Sequence, residues 1–418
     1  MKKIYSSIDI GSDTIKFVVC EHFNKNVNVL ASLEVKSKGI RKGLIVDEAL
    51  LVNAIKDGIK SINEMLSFDL KKVIVNISSY NVKFMYVTGE VSIDNEDNII
   101  TKDDVEKVFS SSVYNKLPSD YELVNVMPVS FVLDDDKNEM YPVGKVSKKL
   151  QLKGIMIIAP KENINTVISA MDKAGLEVVD IVIPALADFY EVRNNNICDK
   201  VGAIINIGHE TTTVSIVNNS LVVATDVLKL GSINIDKDLA YVFGISVFDG
   251  RTIKERFASS SKRFSSTTEV YEVKNTVGET LKLNQLEVSE VVSTRMEEIL
   301  KYAKNKMLEL SKKNIDYIVI TGGATEIKSF KQLVFEFLGK DVIIYTEGTL
   351  GVRNNKYITS LGMIKYFIEK LKVRDSNYSM ITNEEESLLI NPNLKKKEFM
   401  KKGRLFGSFI ASKEEENE

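Results

Sequence analysis

Apolar runs separated by small polar turns dominate the first third of this chain, and stretches with apolar residues at helical spacing are set between them. Ile4 to Ile10 and Ile15 to Cys20 flank Gly11-Ser12-Asp13. Strand-like runs bounded by Gly and Ser predict a hairpin with a tight turn. Val27 to Val35 predicts a third strand. Asp47 stands as an N-cap before Glu48 to Leu66, where Leu51, Ala54, Ile55, Ile59, Ile62 and Leu66 share one helical face. Lys72 to Ser78 then reads as a short buried strand.

Further on, strands are expected over Val82 to Ile93, Leu123 to Leu133 and Leu152 to Ala159, with a helix from Thr101 to Phe109 between them. A second helix, Asn163 to Ala174, ends at Gly175 as a C-cap. These elements make a compact α+β unit lodged between core strands. The opening pattern then returns: Ile204 to Ile207, a turn containing Gly208, and a strand through Val214 and Ile216. Helices are expected at Glu287 to Ser311, Ser329 to Leu338 and Thr359 to Lys372, with a strand from Val342 to Tyr345. Ile318 to Thr321 is a strand that runs into Gly322-Gly323-Ala324. Ser259 to Thr268, rich in serine, reads as an exposed loop.

From Arg374 to about Leu394 the periodicity disappears, which predicts a disordered linker. The segment after it regains a pattern. On a helical wheel Phe399, Leu405, Phe406, Phe409 and Ile410 share one arc, with Lys397, Lys401 and Arg404 opposite; Lys402 is a further basic residue of the segment. A basic amphipathic segment on a tether is the pattern of an interfacial membrane anchor, or of a helix that docks on a partner protein.

Composition narrows the options. The 418 residues predict two to four domains with ample core, and 44% hydrophobic with 27% charged residues is ordinary for a globular protein. A net charge of −2 gives no reason to expect nucleic acid. Cys20 and Cys198 suggest a reducing compartment, and His22 and His209 leave little for a histidine metal site or a catalytic triad. No apolar run approaches the roughly 20 residues of a membrane span, and the start runs directly into a strand. The expected location is cytoplasmic.

The candidate chemistry is phosphate binding. A turn of Gly11, Ser12, Asp13 and Thr14 can gather backbone N–H groups into an anion nest; Asp9 is placed for a hydrated Mg²⁺ and Lys16 for a phosphate. The later turn with Gly208, Thr211 and Thr212 and the Gly322-Gly323 turn repeat the theme. Two strand–turn–strand loops followed by a strand–Gly-Gly–helix resemble the actin/hexokinase/heat-shock-chaperone superfamily. The inserted α+β unit, Ser37 to Asp47, Pro142 to Leu150 and Ile183 to Ala187 narrow the resemblance to the bacterial cell-division FtsA family, over about residues 4 to 368.

That resemblance implies an α/β fold: an actin-like, two-lobed ATPase fold with duplicated ribonuclease-H-like halves and an inserted α+β subdomain in the first. It divides the chain into a first half (1–81 and 163–198) carrying the insert (82–162), and a second half (199–235 and 300–358) carrying a smaller subdomain (236–299). A helix (359–373) returns to the first half, followed by the linker (374–394) and the basic segment (395–418). It implies helices at Asn234 to Val242 and Arg251 to Phe257, and ATP clamped between the two hairpins, with Lys254 at the ribose, the Gly-Gly turn under the adenosine, and Mg²⁺ near Asp9 and Asn206. It further implies head-to-tail self-assembly, FtsZ on the second domain, other division proteins on the insert, and a place on the inner face of the membrane at the division septum. A type IV pilus assembly module and a sugar-kinase-like phosphotransferase are the rivals.

The chain departs from the family at its second turn. Asn206 stands for Asp, His209 and Glu210 for two glycines, and Thr213 for a second Asp; Ala324 replaces a glycine, and Arg251 occupies the place of a glutamate that pairs with ribose. Losing a carboxylate where Mg²⁺ or water is positioned argues for slow turnover at most, and Glu210 would repel phosphate unless it points away. His209 is expected to be exposed.

Overall fold

The computed structural model describes residues 2–66, 68–134, 136–339, 341–382 and 385, and within them two five-stranded sheets repeat one topology. In the first sheet β1 (Lys3–Ile10), β2 (Thr14–Phe23) and β3 (Asn26–Lys36) form an antiparallel meander. A two-residue ribbon, β4 (Ile40–Arg41) with β5 (Leu44–Ile45), leads to helix α1 (Glu48–Leu66) and then to β6 (Lys72–Asn76), parallel to β1. The Asp47 carboxylate accepts the Leu50 amide at 3.0 Å, an N-cap that sets where α1 begins.

The chain next leaves the sheet. β7 (Lys83–Ser92), β8 (Tyr121–Val132), β9 (Asn138–Glu139) and β10 (Lys149–Pro160) build a separate antiparallel sheet in the order β7-β10-β8-β9. Helix α2 (Lys102–Val113) covers it, started by a capping box between Thr101 and Asp104. Helix α3 (Lys161–Lys173) and β11 (Glu177–Val182) bring the chain back parallel to β6, and α4 (Pro184–Val192) follows.

The second sheet restates the first. β12 (Val201–Ile207), β13 (Thr212–Asn218) and β14 (Leu221–Leu228) form the meander. Helices α5 (Ile233–Phe243) and α6 (Val247–Arg256), the hairpin β15 (Val270–Lys274) with β16 (Thr280–Asn284), and α7 (Gln285–Leu310) precede β17 (Tyr317–Thr321), which lies parallel to β12. Helix α8 (Phe330–Leu338) connects to β18 (Val342–Ile344), parallel to β17, and α9 (Ile358–Val373) returns to the first sheet. Both meanders therefore aim their first turns, 11–13 and 208–211, at the same space. Among the described residues no helix is long and apolar enough to cross a membrane.

Helices α4 and α9 fill the seam between the sheets. Every face of α4 meets apolar atoms: Ala185, Leu186, Ala187 and Phe189 are fully buried. A short helix buried on nearly every side, its two carboxylates Asp188 and Glu191 included, has no wet face to mark an amphipathic period, so its sequence announces no helix. The hairpin β15–β16 is likewise absent from the sequence expectations.

Two expectations are corrected. Ser259, Ser260 and Ser261 are buried, with the Ser260 amide bonded to the Lys328 carbonyl, so the serine-rich segment 259–268 is not an exposed loop at its start. The first part of the expected disordered linker 374–394 is an ordered strap along the start of β1. The Met380 amide bonds to the Ile4 carbonyl at 3.0 Å, Ser379 Oγ accepts from the Ile4 amide at 3.2 Å, and Tyr5 OH donates to the Tyr378 carbonyl at 3.0 Å. Tyr378 and Met380 pack on the core without any repeat that hydrophobic periodicity registers. The basic segment 395–418, with the membrane residues expected there, lies outside the described residues.

α4 and α9 approach so closely that a Cβ at Gly362 would overlap the Ala187 carbonyl. Gly362→Ala should therefore cost about 2–3 kcal/mol by overpacking, read as a lower denaturation midpoint in urea at unchanged slope; an unaltered midpoint would show that the crossing can relax.

Candidate functional site

A cleft of about 670 Å³ opens between the two sheets. From the first turn it is lined by Asp9, Gly11, Ser12, Asp13, Thr14 and Lys16, and from the second by Asn206, Gly208 and Thr211. Lys254 on α6 and Gly322 and Gly323 after β17 complete the set of expected residues that meet there. Thr212 does not. Its hydroxyl donates to the Leu230 carbonyl at 2.9 Å and the side chain is fully buried, because strand alternation turns Thr212 into the sheet while Thr211 and Thr213 face the cleft.

The floor is a pair of buried polar clusters at strand ends. Asp9 and Lys16 are opposite each other in the β1–β2 register, and Lys16 Nζ lies 2.9 Å from Asp9 Oδ2. Asn76, at the end of β6, donates to Asp9 Oδ1 at 2.7 Å and accepts the Ile10 amide at 2.7 Å. Lys16 is thus held on its own carboxylate and is not a free cation. On the other side Asn206 Nδ2 donates to Asp188 Oδ2 at 2.7 Å, and Thr359 donates to Asp188 Oδ1 at 2.7 Å. Burial pushes the Asp188 carboxyl up to about 7 against these two donors.

Asp9 and Asn206, the residues expected near Mg²⁺, both stand at this floor. Both Asp9 oxygens are engaged, and Asn206 gives its amide to Asp188. Among the described residues no group of three or more His, Cys, Asp and Glu is placed to hold a metal ion. The cleft volume and its polar turns do suit a nucleotide-sized ligand. Gly322 shapes the back wall: its φ of 97° and ψ of 164° lie where essentially only glycine sits, and a Cβ would overlap Asn206 Oδ1 and the Ile207 carbonyl.

At the rim, ion pairs cross the opening. Arg251 on α6 grips Asp13 with both terminal nitrogens, at 2.7 and 2.8 Å, and Lys36 also bonds Asp13. Burial alone would raise the Asp13 carboxyl, but the hydrogen bonds from Arg251 and Lys36 outweigh it and hold the group well below the usual carboxylate range. The bonds to Asp13, with the one to Glu255, raise the Arg251 guanidinium above its ordinary value against its burial. Lys254, buried, lies 2.6 Å from Asp236, and so is no more a free cation than Lys16. His209 is not exposed as expected but lines the cleft with Nε2 3.8 Å from Asp13. Glu210 points away from the cleft, accepting the Lys42 amide. Glu255, one turn along α6 from Arg251, lines the cleft and bonds Arg251 Nε at 2.8 Å.

Asp188 and Asn76 were missed from sequence. The available signal was a pair of carboxylates, Asp188 and Glu191, in the largely apolar stretch after Pro184, and an amide closing β6 as Asp9 nearly closes β1.

Comparisons with known proteins agree with this fold. The family profile of cell division protein FtsA matches residues 203–362, and that of the SHS2 domain inserted in FtsA matches 80–158. The chain is 25% identical over 386 residues to the cell division protein FtsA of Bacillus subtilis (strain 168), covering 92% of this chain and 88% of that protein. It is 25% identical over 366 residues to the FtsA of Enterococcus hirae, covering 87% and 83%. In fold it is similar to MreB5 of Spiroplasma citri bound to ADP (13% identity, TM-score 0.56, covering 90% of this chain and 99% of that one). It is similar also to the PilM–PilN type IV pilus biogenesis complex (14% identity, TM-score 0.57, covering 88% and 98%). The fold is the actin-like one.

Gly322→Ala is expected to lose about 1–3 kcal/mol of stability through its backbone conformation and to weaken binding of a fluorescent ATP analogue; unaltered binding with the fold intact would remove Gly322 from the site. His209 supplies a pH test. Burial, with Lys254, Arg251 and Lys36 nearby, pushes its ring down to about 4 from 6.5, against the pull of Asp13. The unfolded chain therefore binds the proton first, and stability falls as pH drops from about 6.5 towards 4. With two histidines in the chain, a ring-proton NMR titration assigned by His22→Gln reads this directly, and a His209 midpoint near 6.5 would contradict the burial.

Proposed function

Because the chain belongs to the FtsA cell-division family, we propose that it is an adaptor of the division machinery that holds ATP in this cleft, assembles head to tail, and joins FtsZ filaments to the inner face of the membrane. The observation that carries the reading is the convergence of both meander turns and the Gly322-Gly323 turn on one cleft. Mg²⁺ would arrive with the nucleotide's phosphates, since the described residues include no cluster of three or more His, Cys, Asp and Glu placed to hold it. Turnover is slow: the amide of Asn206, committed to Asp188, supplies no carboxylate to position water.

The partner surface that supports the reading lies around the α5–α6 turn. Tyr241, Val242, Val247 and Phe248 expose their side chains there, with Tyr241 90% and Phe248 77% accessible. Exposed aromatics in a cluster are the kind of feature that anchors a protein partner, and in this reading the partner is FtsZ. Other division proteins would meet the sheet β7-β10-β8-β9. The membrane contact rests on residues 395–418, whose apolar arc and basic face suit an anionic lipid surface.

Sedimentation with vesicles of anionic lipid, with and without ATP, separates these claims. The full chain should pellet with vesicles, and a chain ending at residue 394 should stay in the supernatant. Equal pelleting of both would remove the anchor, and failure to bind any ATP analogue would remove the nucleotide.

A further inference from the structure

The departures from the family pattern share a geometry. Arg251, in the place of a glutamate, grips Asp13 across the cleft, and Glu210, in the place of a glycine, takes the Lys42 amide from the ribbon β4–β5. A third bridge joins Lys356, in the turn before α9, to Glu34 on β3 at 2.7 Å. We propose that these contacts brace the two lobes together in place of a bound nucleotide, so that a nucleoside polyphosphate modulates a closed state that the chain already holds.

The charges support this. Among the described residues lining the cleft, each lysine and arginine has a carboxylate within 2.9 Å: Lys16, Arg251, Lys254 and Lys356. A phosphate entering the cleft therefore finds no unpaired cation, and to gain one it must exchange with a carboxylate. Arg251 is the partner suited to exchange, since its planar fork matches phosphate and carboxylate equally well. Asp13 is the better shielded end of that pair, with its side chain 14% accessible against 32% for Arg251. The Glu34–Lys356 bridge, at 38% and 32%, is the more open to screening by salt.

The inference rests on the nucleotide reading only for the exchange; the brace itself stands on the protein's own contacts. The test uses the full chain, stripped of nucleotide, with spin labels on exposed positions of the two lobes (Val46→Cys and Val277→Cys in a Cys198→Ser background). The distance distribution should be narrow without ligand and stay narrow with ATP and Mg²⁺. Arg251→Glu, and more mildly Arg251→Gln, should broaden it in the absence of ligand, and the exchange pair Asp13→Arg with Arg251→Asp should restore it. Circular dichroism and the thermal midpoint confirm that each variant is folded. A broad distribution in the unaltered chain that narrows only with ATP overturns the proposal, as does a folded Arg251→Glu with the original distance. Asp13→Asn frees Arg251 for phosphate and should tighten a fluorescent ATP analogue about tenfold; unchanged affinity removes the exchange. If no form of the protein binds the analogue, the nucleotide reading fails while the label distances still decide the brace.

Discussion

Helices α4 and α9 touch backbone to backbone at Ala187 and Gly362, and that contact fixes where the two sheets can lie. The core that contains it runs through both lobes: Ile204, Val217 and Val319 of the second sheet belong to the same apolar cluster as Ile8, Phe17 and Val75 of the first. Each fully buried side chain of this kind contributes about 1.5–3 kcal/mol, so the seam is stabilised by burial rather than by the charges beside it. Those charges are placed by the helices. Asp188 and Glu191 come from α4, Thr359 and Lys365 from α9, and Lys365 Nζ meets Glu191 Oε1 at 2.5 Å. A carboxylate buried here without such a partner would be strongly destabilising, which ties the polar residues of the seam to one another.

The cleft inherits its two tiers from this construction. Its floor is built where strands end against the helix pair, in a dry environment that holds Asp188 up to about 7. Its rim is built from turns and α6, where Asp13 is held ionised by a guanidinium from the other lobe. Substituting the expected glycines and carboxylates of the second turn has left no gap in this scheme. Asn206 is bonded to Asp188, and Glu210 to the ribbon β4–β5.

How much of this could be read from the residues follows from what each signal depends on. The two meanders were legible because Gly11-Ser12 and Gly208 interrupt apolar runs, and turn chemistry is local. Helices α1 and α7 were legible because one face is wet. Helix α4 was not, since seven of its nine residues, Asp188 and Glu191 among them, are buried and no wet face marks a period. The strap at 377–382 was not, because extended backbone seated in a groove needs only a Tyr and a Met to hold it. In the site, residue types pointed to the right turns, but not to pairing. Nothing local in Lys16 or Lys254 announces the carboxylates that neutralise them, as Lys254 meets Asp236 from a different helix. Thr212 failed on parity: one residue along a strand reverses the face.

The strap has a mechanical consequence. Residues 377–380 are bonded to Lys3, Ile4 and Tyr5 at one end of β1, and Asp9 and Ile10 bond Asn76 at the other. Any tension applied through the chain beyond residue 382 is therefore taken up first by contacts at the start of β1. That strand, paired along its length with β2, is a stiff rod that ends at the turn lining the cleft. Pulling on the tail and filling the cleft thus act on opposite ends of one strand.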